Sequence, residues 1–205
     1  MPTTRDQIVD AADQLFYEQG FEHTSFAHIA DAVRISRGNF YYHFKTKDEI
    51  LDAVIAARME RTRQMLAQWA QQGDTPQARI AAFIDILARN RDKIMRHGCP
   101  VGTLCAEMAK LGHAAGQEGA NQILALFGDW LARQFGQMGH RKPQARALAL
   151  HLLARSQGVA TLTNAFQDPA FVRHEVAQMH AWLAQQGAEP GPPATTNTPP
   201  SRRKA

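Results

Sequence analysis

Apolar positions recur at helical spacing along almost the whole chain. Ile8, Ala12, Leu15 and Gln19 fall on one face, widened by Ala11 and Phe16, and Gly20 stands where a C-capping glycine belongs. Thr24 or Ser25 offers an N-cap for a short second helix carrying Phe26, Ile29, Ala30 and Val33. A tight turn at Arg34-Ile35 leads to Ser36, another N-cap, and to a third helix from Arg37 to about His43. A long fourth helix starts near Lys47, carries Ile50, Leu51, Val54 and Ile55, and runs to about Gln72. Thr75-Pro76 opens a fifth, and Gly98 to Pro100 ends it and opens a sixth. A weaker break at Gly112 to Gly116 precedes a helix with Ile123, Leu124, Phe127, Trp130, Leu131 and Phe135. Pro143 and Pro169 each mark the start of another long amphipathic helix. The last aligns Val172, Val176, Met179 and Leu183, a face that must pack on something. With no strand-like alternation and no internal repeat, the pattern predicts an all-α fold of about nine helices.

From Gly187 the composition turns to Pro, Thr, Gly and Ala and closes on Arg202, Arg203 and Lys204. Such a segment buries too little apolar surface to offset chain entropy, so a disordered basic tail is expected over 187–205. Its basic tip would touch nucleic acid phosphates or serve only as a solubilising end.

The 205 residues suffice for one or two domains, and an apolar fraction of 44% suits an ordinary globular chain. No run approaches the roughly 18 uninterrupted apolar residues of a membrane span. Arg5, Asp6, Asp10 and Asp13 occupy the place of a signal peptide's apolar core. Two cysteines, Cys99 and Cys105, make no disulfide framework. The expectation is a cytoplasmic protein with no membrane partner, nucleoid-associated when bound to DNA.

The net charge of +4 is mild, but its placement is not even. Residues 1–33 hold Arg5 against Asp6, Asp10, Asp13, Glu18, Glu22 and Asp31, whereas residues 34–47 hold Arg34, Arg37, Lys45 and Lys47 with no acid. A basic island beside an acidic helix suits a polyanion approached from one direction.

That island lies in Thr24 to Lys47, TSFAHIADAVRISRGNFYYHFKTK, two short helices joined by a tight turn. The second of such a pair projects into a DNA major groove. Ile29, Ala30, Val33, Ile35, Phe40 and Phe44 take the inward positions, which leaves Arg37, Gly38, Asn39, Tyr41, Tyr42 and His43 at the exposed end and flank. Gly38 lets the backbone approach the bases, Arg37 suits a guanine edge and Asn39 an adenine edge, and the tyrosine and histidine tips reach phosphates. The competing reading makes Phe40, Tyr41, Tyr42 and Phe44 one buried aromatic face. It explains the apolar residues but not the Tyr-Tyr-His tips beside an acid-free basic island.

The run Gly38-Asn39-Phe40-Tyr41-Tyr42-His43-Phe44-Lys45-Thr46-Lys47-Asp48-Glu49-Ile50-Leu51 resembles the signature of the tetracycline-repressor (TetR) family, and the likeness extends over roughly residues 5–55. The resemblance implies that Ser25, Tyr42, His43 and Lys47 hold phosphates while Arg37, Gly38, Asn39 and Tyr41 face bases or sugar edges. It departs from the family at Arg34, where the turn usually holds a small residue, often glycine; a non-glycine residue at positive φ costs on the order of 1 kcal/mol. Arg34 would also be placed to add a phosphate contact.

The resemblance further implies three parts: a helix-turn-helix DNA-binding domain over 1–50, a helical ligand-binding and dimerisation domain over 51–186, and the tail. In the family the last two long helices of each subunit pair in a four-helix bundle. Here they match about Lys142–Phe166 and Pro169–Gln186, and Leu152, Val159, Leu162, Val176, Met179 and Leu183 exceed what one packing face needs. The implied partners are a pseudo-palindromic double-stranded DNA operator, a second copy of the chain, and a small apolar or aromatic effector held by the helices around residues 80–165. The implied function is a ligand-releasable repressor.

The segment from His97 to Met108 is similar to a Gly-Cys-x-x-x-x-Leu-x-x-Glu stretch in a branch of the family that includes electrophile-sensing repressors. Cys99 at a helix start is the candidate sensor, since N–H dipoles can favour a thiolate there; the alternative is an inert structural thiol. Cys105, inside the helix, reads as a small buried hydrophobe. His97, Cys99, Cys105 and His113 fit no common zinc spacing, and no cofactor motif is present, so neither metal nor cofactor is expected. Two further classes are an enzyme using Cys99 or Cys105 with His97 or His113, and a DNA-binding protein without regulation. The first lacks a phosphate cradle, a nucleophile elbow and paired carboxylates; the second leaves some 130 residues shaped for a cavity without a purpose.

Overall fold

A computed structural model of the chain describes residues 2–187, and the tail expected to be disordered lies outside the described residues from 188 on. Among the described residues there are ten helices and no strand. They are α1 (Thr4–Gln19), α2 (Phe26–Val33), α3 (Arg37–His43), α4 (Lys47–Gln72), α5 (Pro76–Arg89), α6 (Arg91–His97), α7 (Pro100–Leu111), α8 (Ala114–Gln137), α9 (Lys142–Phe166) and α10 (Pro169–Ala184). None of these helices is long and apolar enough to cross a membrane.

Local caps set the ends of the first four helices. Asp6 N–H donates to Thr3 Oγ1 at 3.2 Å while Thr3 N–H donates to Asp6 Oδ2 at 2.9 Å. The bond from Thr3 N–H, and then one from the Thr3 hydroxyl to the same carboxylate oxygen at 2.8 Å, hold the Asp6 carboxyl below its ordinary range. Of the two candidate caps of α2, Ser25 serves: it accepts from His28 N–H at 3.2 Å, whereas Thr24 is buried and donates its hydroxyl to Gly20 O at 2.7 Å. Ser36 and Thr46 accept N–H groups in the same way from Asn39 and Glu49. The segment expected as one fifth helix runs as two. Asn90 ends α5 and begins α6 at φ −102°, ψ 14°, and its side-chain amide donates back to Ile86 O at 3.1 Å.

Two apolar clusters hold these helices together. The first joins Ile8, Phe16, Ile29, Phe40, Phe44 and Leu51 to Leu104 and Met108 of α7 and Ile123 of α8. The second joins Leu66 and Trp69 of α4 to α5, α6, α8, α9 and α10. At about 1.5 Å per residue α4 is about 39 Å long, enough to run through both. The helix-turn-helix therefore closes its core with α7 and α8, each large buried side chain contributing on the order of 1.5–3 kcal/mol.

The surplus apolar set expected on the last two helices needs correction. Leu152, Val159, Met179 and Leu183 are buried inside the protomer, because α9 packs on α8 and α10 packs on α5 and α9. Val176 is half-buried and only Leu162 of that set is exposed. Leu150 and Leu162, on the opposite face of α9, and Phe166 at its C-terminal end are the large apolar side chains that this helix leaves exposed.

Candidate nucleic-acid interface

α2 stops at Arg34, which adopts the left-handed conformation (φ 59°, ψ 45°), and the N–H of Ile35 returns to Ala30 O at 3.1 Å. This reversal fixes the angle at which α3 leaves α2. Phe40 and Phe44, one turn apart, are buried at 1% and 2% exposure, with Phe26 against Phe40 at 5.1 Å between ring centroids. The Arg5 guanidinium covers Phe44 from α1 at 4.9 Å.

Anchoring that face turns the other one outward. Arg37, Gly38, Asn39, Tyr41 and Tyr42 are all exposed, Tyr42 at 79%. The aromatic run is thus divided: the phenylalanines are core and the tyrosines are surface. Arg37 makes no side-chain hydrogen bond or ion pair among the described residues. A Cβ built on Gly38 meets nothing within 4 Å, so internal packing makes no demand for glycine there. Ser25 is exposed beside α3, and His43 is half-buried with its ring edge-on to Tyr42 at 5.2 Å.

Lys47 has partners that its place in the motif does not disclose. Its Nζ donates to Glu22 O at 3.1 Å and sits 4.3 Å from the Phe21 ring centroid, tying α4 to the α1–α2 turn. The same turn is held from the other side by Glu107 of α7, whose carboxylate accepts from Phe21 N–H at 3.0 Å and Glu22 N–H at 2.9 Å. A second link is the Arg58–Asp13 pair, with Nε 2.5 Å from Oδ1 and Arg58 only 8% exposed; Nη1 also donates to Pro100 O at 2.5 Å. Sequence reasoning missed these links, since nothing near Glu107 or Arg58 marks a partner across so many residues.

Behind this face lies a cavity of about 750 Å³, lined from α1, α4, α5, α6, α7, α8 and α9. It reaches beyond the expected region around 80–165, because α1 and α4 supply one wall. Cys99 lines it, and as N-cap of α7 its sulfur accepts from Gly102 N–H at 3.5 Å. Cys105 is half-buried, and burial, then the neighbouring Cys99, pushes its thiol up. The His97 ring lies tilted against Tyr17 at 5.3 Å between centroids, while His113 lies 3.2 Å from Asp48 Oδ1 and accepts from Gly116 N–H.

A family model described as bacterial regulatory proteins, tetR family, matches residues 8–54, the span of this interface. A regulator encoded in the lacX 3′ region of Lactococcus lactis is 32% identical over 110 residues, 53% of this chain and 56% of that protein. The regulator TcmR of Streptomyces glaucescens is 39% identical over 90 residues, 43% of this chain and 39% of that protein. The chain thus spans about half the length of the curated relatives it matches. Likeness of fold extends further. A TetR regulator from Legionella pneumophila superposes with a TM-score of 0.77 at 21% identity, over 92% of this chain and 99% of that one. The reduced form of NemR from E. coli gives 0.75 at 17% identity, over 86% and 94%. Residues 8–54 thus match the tetR family of bacterial regulatory proteins, and the described residues share the fold of solved TetR regulators.

Proposed function

We propose that this protein is a sequence-specific DNA-binding transcriptional regulator, a homodimeric repressor that a small molecule releases from its operator. The observation that carries this reading is the division of α3 into a buried Phe40/Phe44 face and an exposed polar face bearing Arg37, Asn39, Tyr41 and Tyr42. In this reading Arg37 and Asn39 bond base edges, Gly38 lets the helix sit close, and Tyr41 faces bases or sugars. Ser25, Tyr42, His43 and Lys47 hold phosphates and set the register.

A dimer is supported by α9, whose exposed face aligns Ala147, Leu150, Ala154, Gly158, Leu162 and Ala165. Small residues between leucines let a second helix approach closely, and a two-fold pairing there sets two copies of α3 about one DNA turn, roughly 34–36 Å, apart. Effector binding in the cavity then favours a spacing that no longer fits the grooves. Tenfold weaker operator binding needs only about 1.4 kcal/mol of differential affinity between the two states. Selection of bound duplexes from a random pool tests the reading. A palindrome bound tightly and with a steep salt dependence is the expected result; equal binding of all duplexes would show that the protein does not read sequence.

A second reading is supported by the position of Cys99 on the cavity wall. There its thiol would add to a quinone or enone. A carbon–sulfur bond forms, the alkene π pair moves toward the carbonyl, and the thiol proton ends on the product, so the adduct occupies the cavity as a ligand does. A Cys99→Ser protein released from DNA by electrophiles as readily as the wild type would confine Cys99 to capping α7.

A further inference from the structure

The cavity has two unlike walls. α1 and α4 supply Asp13, Tyr17, Arg58, Arg61 and Thr62, whereas α5, α8 and α9 supply apolar groups that include Phe83, Leu124 and Phe127. A molecule that fills it must be polar at one end and apolar at the other.

The charges on the polar wall do not balance. On α1 and α4 Arg58 and Arg61 face Asp10 and Asp13, and Lys93 of α6 adds a third cation to the lining. Both Asp13 oxygens are already engaged, Oδ1 by Arg58 at 2.5 Å and Oδ2 by Arg61 at 2.9 Å, and Asp10 lies 3.7 Å from the same Arg61 nitrogen. The Lys93 ammonium and Arg61 Nη1 make no hydrogen bond or ion pair among the described residues. Tyr17 adds no negative charge, since burial and then Cys99 push its phenol up to about 12. Thr62, only 7% exposed, has a hydroxyl with no hydrogen-bond partner among the described residues and lines the same space. The Thr62 hydroxyl opens onto that space and is placed to bond a ligand there. A cation entering here would find Asp13 already paired and only the exposed Asp10 open to it, whereas an anion finds the Arg61 Nη1 and Lys93 donors.

Resting on the reading of this cavity as the effector site, we propose that the effector is an amphipathic organic anion. An aromatic or aliphatic body packs on Phe83 and Phe127, and a carboxylate or comparable headgroup is bound by Arg61 and Lys93. The headgroup competes with Asp13 for Arg61, and Asp13 belongs to α1, the first helix of the DNA-binding region. The ligand thereby loosens a link between α1 and α4 that operator binding requires.

Titration calorimetry of the whole chain with three molecules of matched shape, 2-naphthoate, 2-naphthamide and 2-naphthylmethylammonium, tests the proposal. The naphthoate is expected to bind at least about tenfold more tightly than the other two. An Arg61→Gln/Lys93→Gln protein is expected to lose that preference, while Arg63→Gln, on the same helix but outside the cavity lining, keeps it. The amide or the ammonium binding as tightly as the naphthoate, or a preference that survives the double substitution, would overturn the proposal. Failure of the underlying cavity reading looks different. None of the three would bind, or a Leu124→Trp protein with the cavity filled would bind the naphthoate as the wild type does, and the proposal falls with it.

Discussion

The Glu107 carboxylate accepts the backbone N–H of Phe21 at 3.0 Å, and its other oxygen accepts that of Glu22 at 2.9 Å. One side chain of α7 thus caps the turn between α1 and α2, while the first residues of the same helix line the cavity. Gly20, at φ 90°, leaves room for it: a Cβ there would lie 2.9 Å from Glu107 Oε1. Glu107→Gln keeps the shape but removes the charge and turns an amide donor toward an N–H. Loss of about 1–3 kcal/mol is expected by denaturant unfolding, with weaker DNA binding alongside. A Glu107→Gln protein as stable as the wild type would mean that the clamp carries no stability.

The two kinds of contact proposed for α3 separate by how they fail. Arg37→Ala should relax the choice of base at one position of each half-site, at a cost of about 1–3 kcal/mol for the preferred sequence. Tyr42→Phe should weaken binding to all sequences alike. Lys47→Ala should do both that and loosen the α1–α2 turn, since Lys47 also holds Glu22 O and covers Phe21. Comparing binding selections with melting curves separates the two effects of Lys47, and an unchanged sequence preference in Arg37→Ala would remove it from base reading.

Assembly is tested by two substitutions that look alike in sequence. Leu162→Glu, at a residue 41% exposed, should yield folded monomers that lose specific DNA binding. Met179→Glu, at a residue with no exposure, should unfold the protomer, because a carboxylate would enter the core without a partner. Light scattering with circular dichroism distinguishes them. A monomeric wild type at micromolar concentration would contradict the dimer.

Alkaline pH should act through Tyr17. Its hydroxyl lies 2.8 Å from Gly98 O and 3.1 Å from Lys93 O, and its phenol is raised from 10.0 to about 12 by burial and then by Cys99. A group whose folded value is raised contributes stability in full below its unfolded value. That contribution is therefore present below pH 10.0 and lost as pH climbs toward about 12. The stability advantage of wild type over Tyr17→Phe should hold up to pH 10.0 and shrink from there to about 12. An advantage that is constant over this range would sink the assignment.

The sequence alone determined the helical class, the end of α1 at Gly20, the start of α3 at Ser36, the extent of α4 and the face of α3 that turns inward. The physical reason is that these features are local. Thr3, Ser25, Ser36 and Thr46 each accept an N–H only three residues away, and Phe40 and Phe44 share a face by the period of the helix. Only the tertiary structure decided which apolar residues of α9 and α10 face inward, since Leu152 and Leu162 are both leucines on one amphipathic helix and its neighbours choose between them. The same holds for Glu107, 86 residues from Phe21, and for Arg58, 45 residues from Asp13. A carboxylate or a guanidinium is compatible with many partners, and the packing of α4 and α7 against α1 selects one.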